Sequence, residues 1–273
     1  MSEPALTPNS EVSRDVKVRL RANALADLCE AVTIENPPSP IRLVLTSDGA
    51  SVWTHDTSRT VQVLINEYPL AGLRCPDPCV LLIQPKQFGE LLRAKFKEEP
   101  VEISASASEP IIISAKNGSS VVYHAADEDD CATVPDHWIL PIDDDGKRIF
   151  TMFDDEISTS QILIDVDELK RGLVDMRIAN APYVEFNFTS EGCYAESGHW
   201  GAKTNQSKTP LSADLGGEDC VVCFTENLGD IINRFKGSTQ VEIQRHNKGG
   251  LFVVSSADGP DVTIVATEAV RES

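Results

Sequence analysis

Nothing in the 273-residue sequence is apolar for long enough to cross a bilayer, which takes about 18 consecutive residues. Residues 1–15, MSEPALTPNSEVSRD, lack the basic start and apolar centre of a secretory leader and read as a disordered tail. The expected setting is the cytoplasm, with the nucleoid, or the nucleus, with no membrane partner. The recurrent catalytic signatures are also missing: no G-x-x-x-x-G-K-[ST], no G-x-S-x-G, no H-E-x-x-H and no G-x-G-x-x-G. The five histidines, His55, His124, His137, His199 and His246, lie apart. An enzyme is not expected, and no cofactor is implied. A disulfide framework is not expected either. Seven cysteines is an odd number, scattered through a chain without an export signal, so reduced thiols are expected. Cys220 and Cys223 form a C-x-x-C inside the apolar run CVVCF, which reads as a strand. Positions i and i+3 of a strand face opposite ways, so the two sulfurs do not converge on a metal.

Positive charge is scarce. Lys and Arg total 24 against 43 Asp and Glu, a net charge of −19, and such a surface as a whole repels nucleic acid. Two readings stand: a generally acidic surface suited to concentrated salt, or an acidic partner-docking protein whose few cations gather in one place. The distribution of charge decides between them. The remaining composition, 41% hydrophobic and 25% charged, is that of an ordinary globular chain able to bury a core.

What the sequence does contain is a repeat. The stretch 80–115 reads as strand, helix, strand, turn, strand, and it returns at 221–256. At an offset of 140, Phe88 meets Leu228, Gly89 meets Gly229, and Leu91-Leu92 meets Ile231-Ile232. Val101 and Ile103 meet Val241 and Ile243, and Ile111-Ile112-Ile113 falls on Leu251-Phe252-Val253. A gapless match with apolar positions in phase is the mark of a duplicated unit. The surroundings repeat too. An alternating strand at 15–20 precedes a helix with Leu25, Leu28, Cys29 and Val32 on one stripe. A hairpin over 41–54 and a strand at 60–65 follow, and 120–125 closes the first half. In the second half come a strand at 161–166, a helix at 167–177, strands at 183–188 and 203–211, and a last strand at 262–266. Thr189-Ser190-Glu191-Gly192 echoes Thr46-Ser47-Asp48-Gly49. The pattern predicts an α+β fold of two tandem domains, 16–126 and 159–273. A connector at 127–158 joins them, with an apolar cluster (Trp138, Ile139, Leu140, Ile142) set between acidic runs. Such a cluster either tucks against a domain or offers partners an apolar groove.

In this order and spacing the chain resembles the sliding clamps of the proliferating cell nuclear antigen type, from about residue 15 to 270. The pieces that carry the resemblance are DGASVWTHDTSRTVQVLI at 48–65, with Asp56-Thr57-Ser58; DELKRGLVDM and SEGCYAESG within 167–198; PDHWILPIDDD at 135–145; and VTIVATEAV at 262–270. The archaeal or archaeal-virus type is the expected variety. The resemblance implies a homotrimeric ring of six clamp domains, with helices lining the hole and sheets outside. It implies that the ring encircles double-stranded DNA without regard to sequence. It also implies that the ring docks DNA polymerase, clamp loader and other proteins through short peptides. Carried over by position, the peptide pocket comprises His55, Ile139, Leu140, Ile142, Ile264 and Ala266. The edges that would join neighbouring chains lie near 120–125 and 203–211.

The helices give an independent test. On the helix 85–97, at about 100° per residue, Lys86, Glu90, Arg93 and Lys97 share one side while Phe88, Leu91 and Leu92 take the other. An apolar back and a basic front suit a surface facing phosphates. On 167–177, Arg171 takes the matching outward position beside Lys170 and Arg177. The other two helices are less basic. The first has Asn23, Asp27 and Glu30 outward with Arg21 at its start; the last has Glu226, Asp230 and Asn233 outward with Arg234 and Lys236 to the side. The expected DNA contact is therefore weak and confined to phosphates. Two other readings remain open: a subunit of a heteromeric clamp or a non-ring polymerase accessory protein, and an acidic docking scaffold that never meets DNA.

Overall fold

The structure, a computed structural model, describes residues 16–34, 39–57, 61–106, 109–131, 160–198, 205–225, 235, 237–246 and 251–267. The first half runs β1 (Val16–Arg21), α1 (Ala22–Ala31), β2 (Ile41–Leu45), β3 (Ala50–His55), β4 (Val61–Tyr68), β5 (Cys79–Ile83), α2 (Pro85–Phe96), β6 (Pro100–Ser106), β7 (Glu109–Ala115) and β8 (Ser120–Tyr123). The second runs β9 (Ser160–Asp165), α3 (Val166–Ala179), β10 (Tyr183–Thr189), β11 (Gly192–Ser197), β12 (Ser207–Leu211), β13 (Ala213–Gly217), β14 (Cys220–Thr225), β15 (Gln240–His246), β16 (Leu251–Ser256) and β17 (Asp261–Thr267). The fold is α+β, mostly sheet with few helices.

Three antiparallel sheets carry these strands, in the orders β1-β6-β7-β8, β12-β11-β10-β14, and β13-β9-β15-β16-β17-β4-β3-β2-β5. The last has nine strands because β17 of the second half pairs with β4 of the first, Val262 opposite Ile65 and Ile264 opposite Val63. Alternation along each strand sends one set of side chains under the helices. Val16, Val18 and Leu20 of β1, Phe88 and Leu92 of α2, Phe186 and Phe188 of β10, and Leu169 and Leu173 of α3 belong to one continuous core. Pro85 stands in the first turn of α2, where its missing N–H costs nothing. Asn180 ends α3 in the left-handed conformation (φ +52°), its N–H returning to the Arg177 carbonyl.

Two helix glycines set close approaches, Gly172 of α3 to the sheet and Gly89 of α2 to α1. A Cβ on Gly172 of α3 would lie 2.6 Å from Phe186 Cε1 and 2.8 Å from Ala195 Cβ, and one on Gly89 of α2 would lie 3.0 Å from Cys29 Cβ. The repeat holds with one adjustment. Ile103 pairs with Ile113 in the first half and Ile243 with Val254 in the second, so β16 is displaced one residue from the gapless offset. Ile111 and Ile113 therefore answer to Phe252 and Val254, all core-facing. A residue more between β15 and β16 is the cause, since a slip of one would turn every side chain to the wrong face. Cys220 and Cys223 sit in rows with Phe188 and Glu185, on opposite faces of β14. Burial pushes the Cys29 and Cys79 thiols up to about 12 and Cys131 to about 11, so they stay protonated at neutral pH.

Candidate functional site

The functional geometry begins at two strand edges. Among the described residues, β8 and β12 each pair on one side only: β8 with β7, β12 with β11. The repeat makes β8 the counterpart of β17 and β12 the counterpart of β4, and those two do pair, inside the chain. The molecule thus has one sealed seam and two open edges that are its repeat counterparts. Of the described large hydrophobic side chains, those left exposed are Ile112, Val122, Val174 and Ile178. Ile112 and Val122 are cross-strand neighbours on β7 and β8. Val174 and Ile178 are one turn apart on α3, the helix against β12, where Asn205 Nδ2 donates to the Ile178 carbonyl at 3.5 Å. Every exposed apolar residue of this set flanks an open edge. Concentrated apolar exposure of that kind marks an interaction surface.

Strand β12 is held from beneath by a polar stripe on α3 at 168, 171 and 175, spacing that shares one helix face. Asp175, buried, accepts from Ser207 Oγ at 2.7 Å and Thr209 Oγ1 at 3.0 Å through Oδ1. Arg171 donates from Nη1 to Glu168 Oε1 at 2.5 Å and from Nη2 to the Pro210 carbonyl. Glu168 Oε2 accepts the Ser212 N–H at 2.9 Å. Periodicity assigns Arg171 an outward phosphate-facing role; the structure shows its guanidinium engaged at the edge strand.

The other cations expected to face DNA divide into two groups. Arg93 on α2 is exposed, yet its Nη2 lies 2.8 Å from Asp27 Oδ1 and 2.5 Å from Glu30 Oε2 on α1. Glu30 first and Asp27 second raise the guanidinium's pKa, so the ion triad ties α1 to α2 and neutralises part of the helical surface. Lys170 lies 3.5 Å from Asp167. Lys86, Lys97, Arg21 and Arg177 are exposed on or beside their helices. Arg234 and Lys236 lie outside the described residues.

The residues assigned to the peptide pocket also separate. His55, half-buried at the end of β3, has its Nδ1 2.7 Å from the Asp56 carbonyl and its ring 5.0 Å from that of Trp53. It shares a row with Gln62 and Val265. Ile264 and Ala266 occupy the opposite face, 1% exposed, in the core with Val61 and Val63. The face that His55 shares instead carries Trp53, Leu64, Val253 and Val265, all buried, a set that sequence reasoning did not single out. Ile139, Leu140 and Ile142, and Ser58, lie outside the described residues. Among the described residues no group of three or more His, Cys, Asp or Glu side chains is arranged to hold a metal. No helix of that set is long and apolar enough to cross a membrane.

A fold of this kind, paired helix-backed sheets repeated twice in tandem, is that of the clamp proteins. No model of a known family matches the chain, and no curated protein matches it. Among solved structures it is similar to the Proliferating Cellular Nuclear Antigen from Entamoeba histolytica, with a TM-score of 0.65 and 10% sequence identity over 94% of this chain and 100% of that one. The likeness shows a clamp fold across the chain. It does not favour the archaeal or archaeal-virus type.

Proposed function

We propose that the chain is a sliding-clamp subunit, a non-enzymatic processivity factor that closes head to tail into a ring of three copies around duplex DNA. The observation that carries this is the pair of unsealed edges, β8 and β12, each the repeat counterpart of a strand that is sealed within the chain. Pairing β8 of one copy with β12 of the next joins the two four-stranded sheets and buries both unpaired edges. The domains 16–126 and 159–273, with the connector 127–158, follow from the same repeat. The helical layer would face DNA, with Lys97, Arg21 and Arg177 supplying its positive charge. With Arg93, Lys170 and Arg171 engaged in ion pairs, the field would be weak and blind to sequence, which suits sliding. Replication and repair proteins would dock on the outer sheet face beside His55 together with the connector.

Light scattering of the purified chain across salt and protein concentration tests the assembly, with a mass of three copies expected. Retention on circular DNA after loading, with loss on linearisation, tests encirclement. A protein that assembles but is never trapped on circular DNA would be an acidic docking scaffold. A chain that associates only with a different subunit would belong to a heteromeric clamp.

A further inference from the structure

The sealed seam specifies the register of the open one. We infer that β8 of one copy adds to β12 of a second with Val122 opposite Gln206 and Ser120 opposite Lys208, and that Arg171 and Pro210 end the ladder. This rests on the head-to-tail assembly proposed above.

The register follows from two equivalences. Val121 and Tyr123 pair with core-facing Ile113 and Ile111, as Ile264 and Ala266 pair with Val254 and Phe252. Val122 therefore answers to Val265, and Ser120 to Thr263. On the receiving side the turns at 46–49 and 189–192 make Val52 and Ala195 equivalent, and these pair with Ile65 and Thr209. Gln206 therefore answers to Gln62, and Lys208 to Leu64. Inside the chain Val265 stands opposite Gln62 and Thr263 opposite Leu64. Transferred to the open seam, those rows become Val122 with Gln206 and Ser120 with Lys208.

A second observation, independent of the repeat, selects the same register. In it Gly118 of one copy stands opposite Pro210 of the next. Gly118, at φ +85°, is where the chain turns into β8. Pro210 has no N–H to give, and its carbonyl is already taken by Arg171 Nη2. The Gly118 N–H is given to the Ala115 carbonyl, so neither strand has an N–H to donate across that row. Sliding β8 two residues along, which preserves the faces, would set Ser120 against Pro210 and forfeit pairing there. Blunting of this kind is a way to keep an edge from pairing in the wrong place. A head-to-tail contact closes into a ring or grows into a filament according to its geometry, so a fixed register decides closure.

The test is disulfide trapping in the full chain. The pairs Val122→Cys with Gln206→Cys and Ser120→Cys with Lys208→Cys are in register; Val122→Cys with Lys208→Cys is diagonal. Opposed residues approach within disulfide reach and diagonal ones stand too far apart, so the in-register pairs should give at least about tenfold more cross-link than the diagonal one. Peptide mapping identifies each bond against the native cysteines, and light scattering on the reduced proteins reports assembly. A dominant bond from the diagonal pair would overturn the register and leave head-to-tail assembly standing. A monomeric mass with no bond from any pair would overturn both, as would an assembled mass with no bond from any pair. In an Arg171→Ala, Pro210→Thr background the diagonal bond should rise relative to the in-register ones. An unchanged ratio there would remove the stop from the explanation.

Discussion

The seam within the chain and the open edges are two versions of one junction, and their differences are chemical. At β17·β4 the outward face sets Val265 against Gln62 and Leu64 against Thr263, and its apolar members Val253, Val265, Leu64 and Trp53 are all buried. At the open edges the corresponding row is apolar on one side, with Ile112 and Val122, and polar on the other. There Lys208 and Glu196 stand 3.9 Å apart and the Lys208 ammonium sits 3.5 Å over the Tyr194 ring. Permanent contacts resemble a core cut in half, whereas contacts that must part keep polar and charged groups. The sealed seam has its apolar side chains buried, and the open edges keep charged groups at the surface.

Substitutions can break each version separately. The largest effect is expected at the sealed seam. Ile264→Ala opens a cavity in a fully buried row and should cost about 2–5 kcal/mol in denaturant unfolding, with lowered melting temperature. The open edge should respond the opposite way. Val122→Asp, at a position 56% exposed, should change stability by no more than about 0.5 kcal/mol. It should nonetheless raise the concentration needed for assembly at least about tenfold, one unfavourable desolvated charge being worth more than about 1.4 kcal/mol. Equal melting curves with equal masses would dissociate Val122 from assembly. Arg93→Ala removes an exposed ion triad and should cost less than about 1 kcal/mol, less still at high salt. Unchanged stability with weakened DNA retention would instead place the guanidinium against phosphate. The smallest effect concerns Glu102. Arg19 first and Lys17 second hold its carboxyl below the usual carboxylate range. Because the folded value is depressed, its contribution is present at neutral pH and is lost as pH falls through that value. The melting-temperature difference between the wild type and Glu102→Gln should accordingly vanish in acid.

Much of this architecture was legible in the residues because local pattern and tertiary position agree. Helices expected at 85–97 and 167–177 are α2 and α3, since a clear apolar stripe and a proline or asparagine at the ends fix each within a turn. The α+β class followed from the repeat. Three features were not legible. Strand β13, ADLGG, has too few apolar residues to alternate. The inward turn of Ile264 and Ala266 was hidden because VTIVA, apolar but for Thr263, is buried on both faces, and such a strand carries no clear alternation to read. The engagement of Arg171 depends on β12, far along the chain, and helical periodicity reports only which side a residue faces. Asp27 and Glu30 carried a usable hint for Arg93: acidic positions one turn apart on a neighbouring helix are natural sinks for a guanidinium.

The two open edges belong to different strands, one on each half of the chain. Copies joined through them as proposed would all face the same way round, as links cut from one pattern, and the closed object would have a front and a back. A protein seated beside His55 on one copy would find its neighbours' seats in the same orientation. Traffic along the duplex would then meet an assembly that distinguishes ahead from behind, a vectorial property that no single copy possesses and no symmetric face-to-face contact would give.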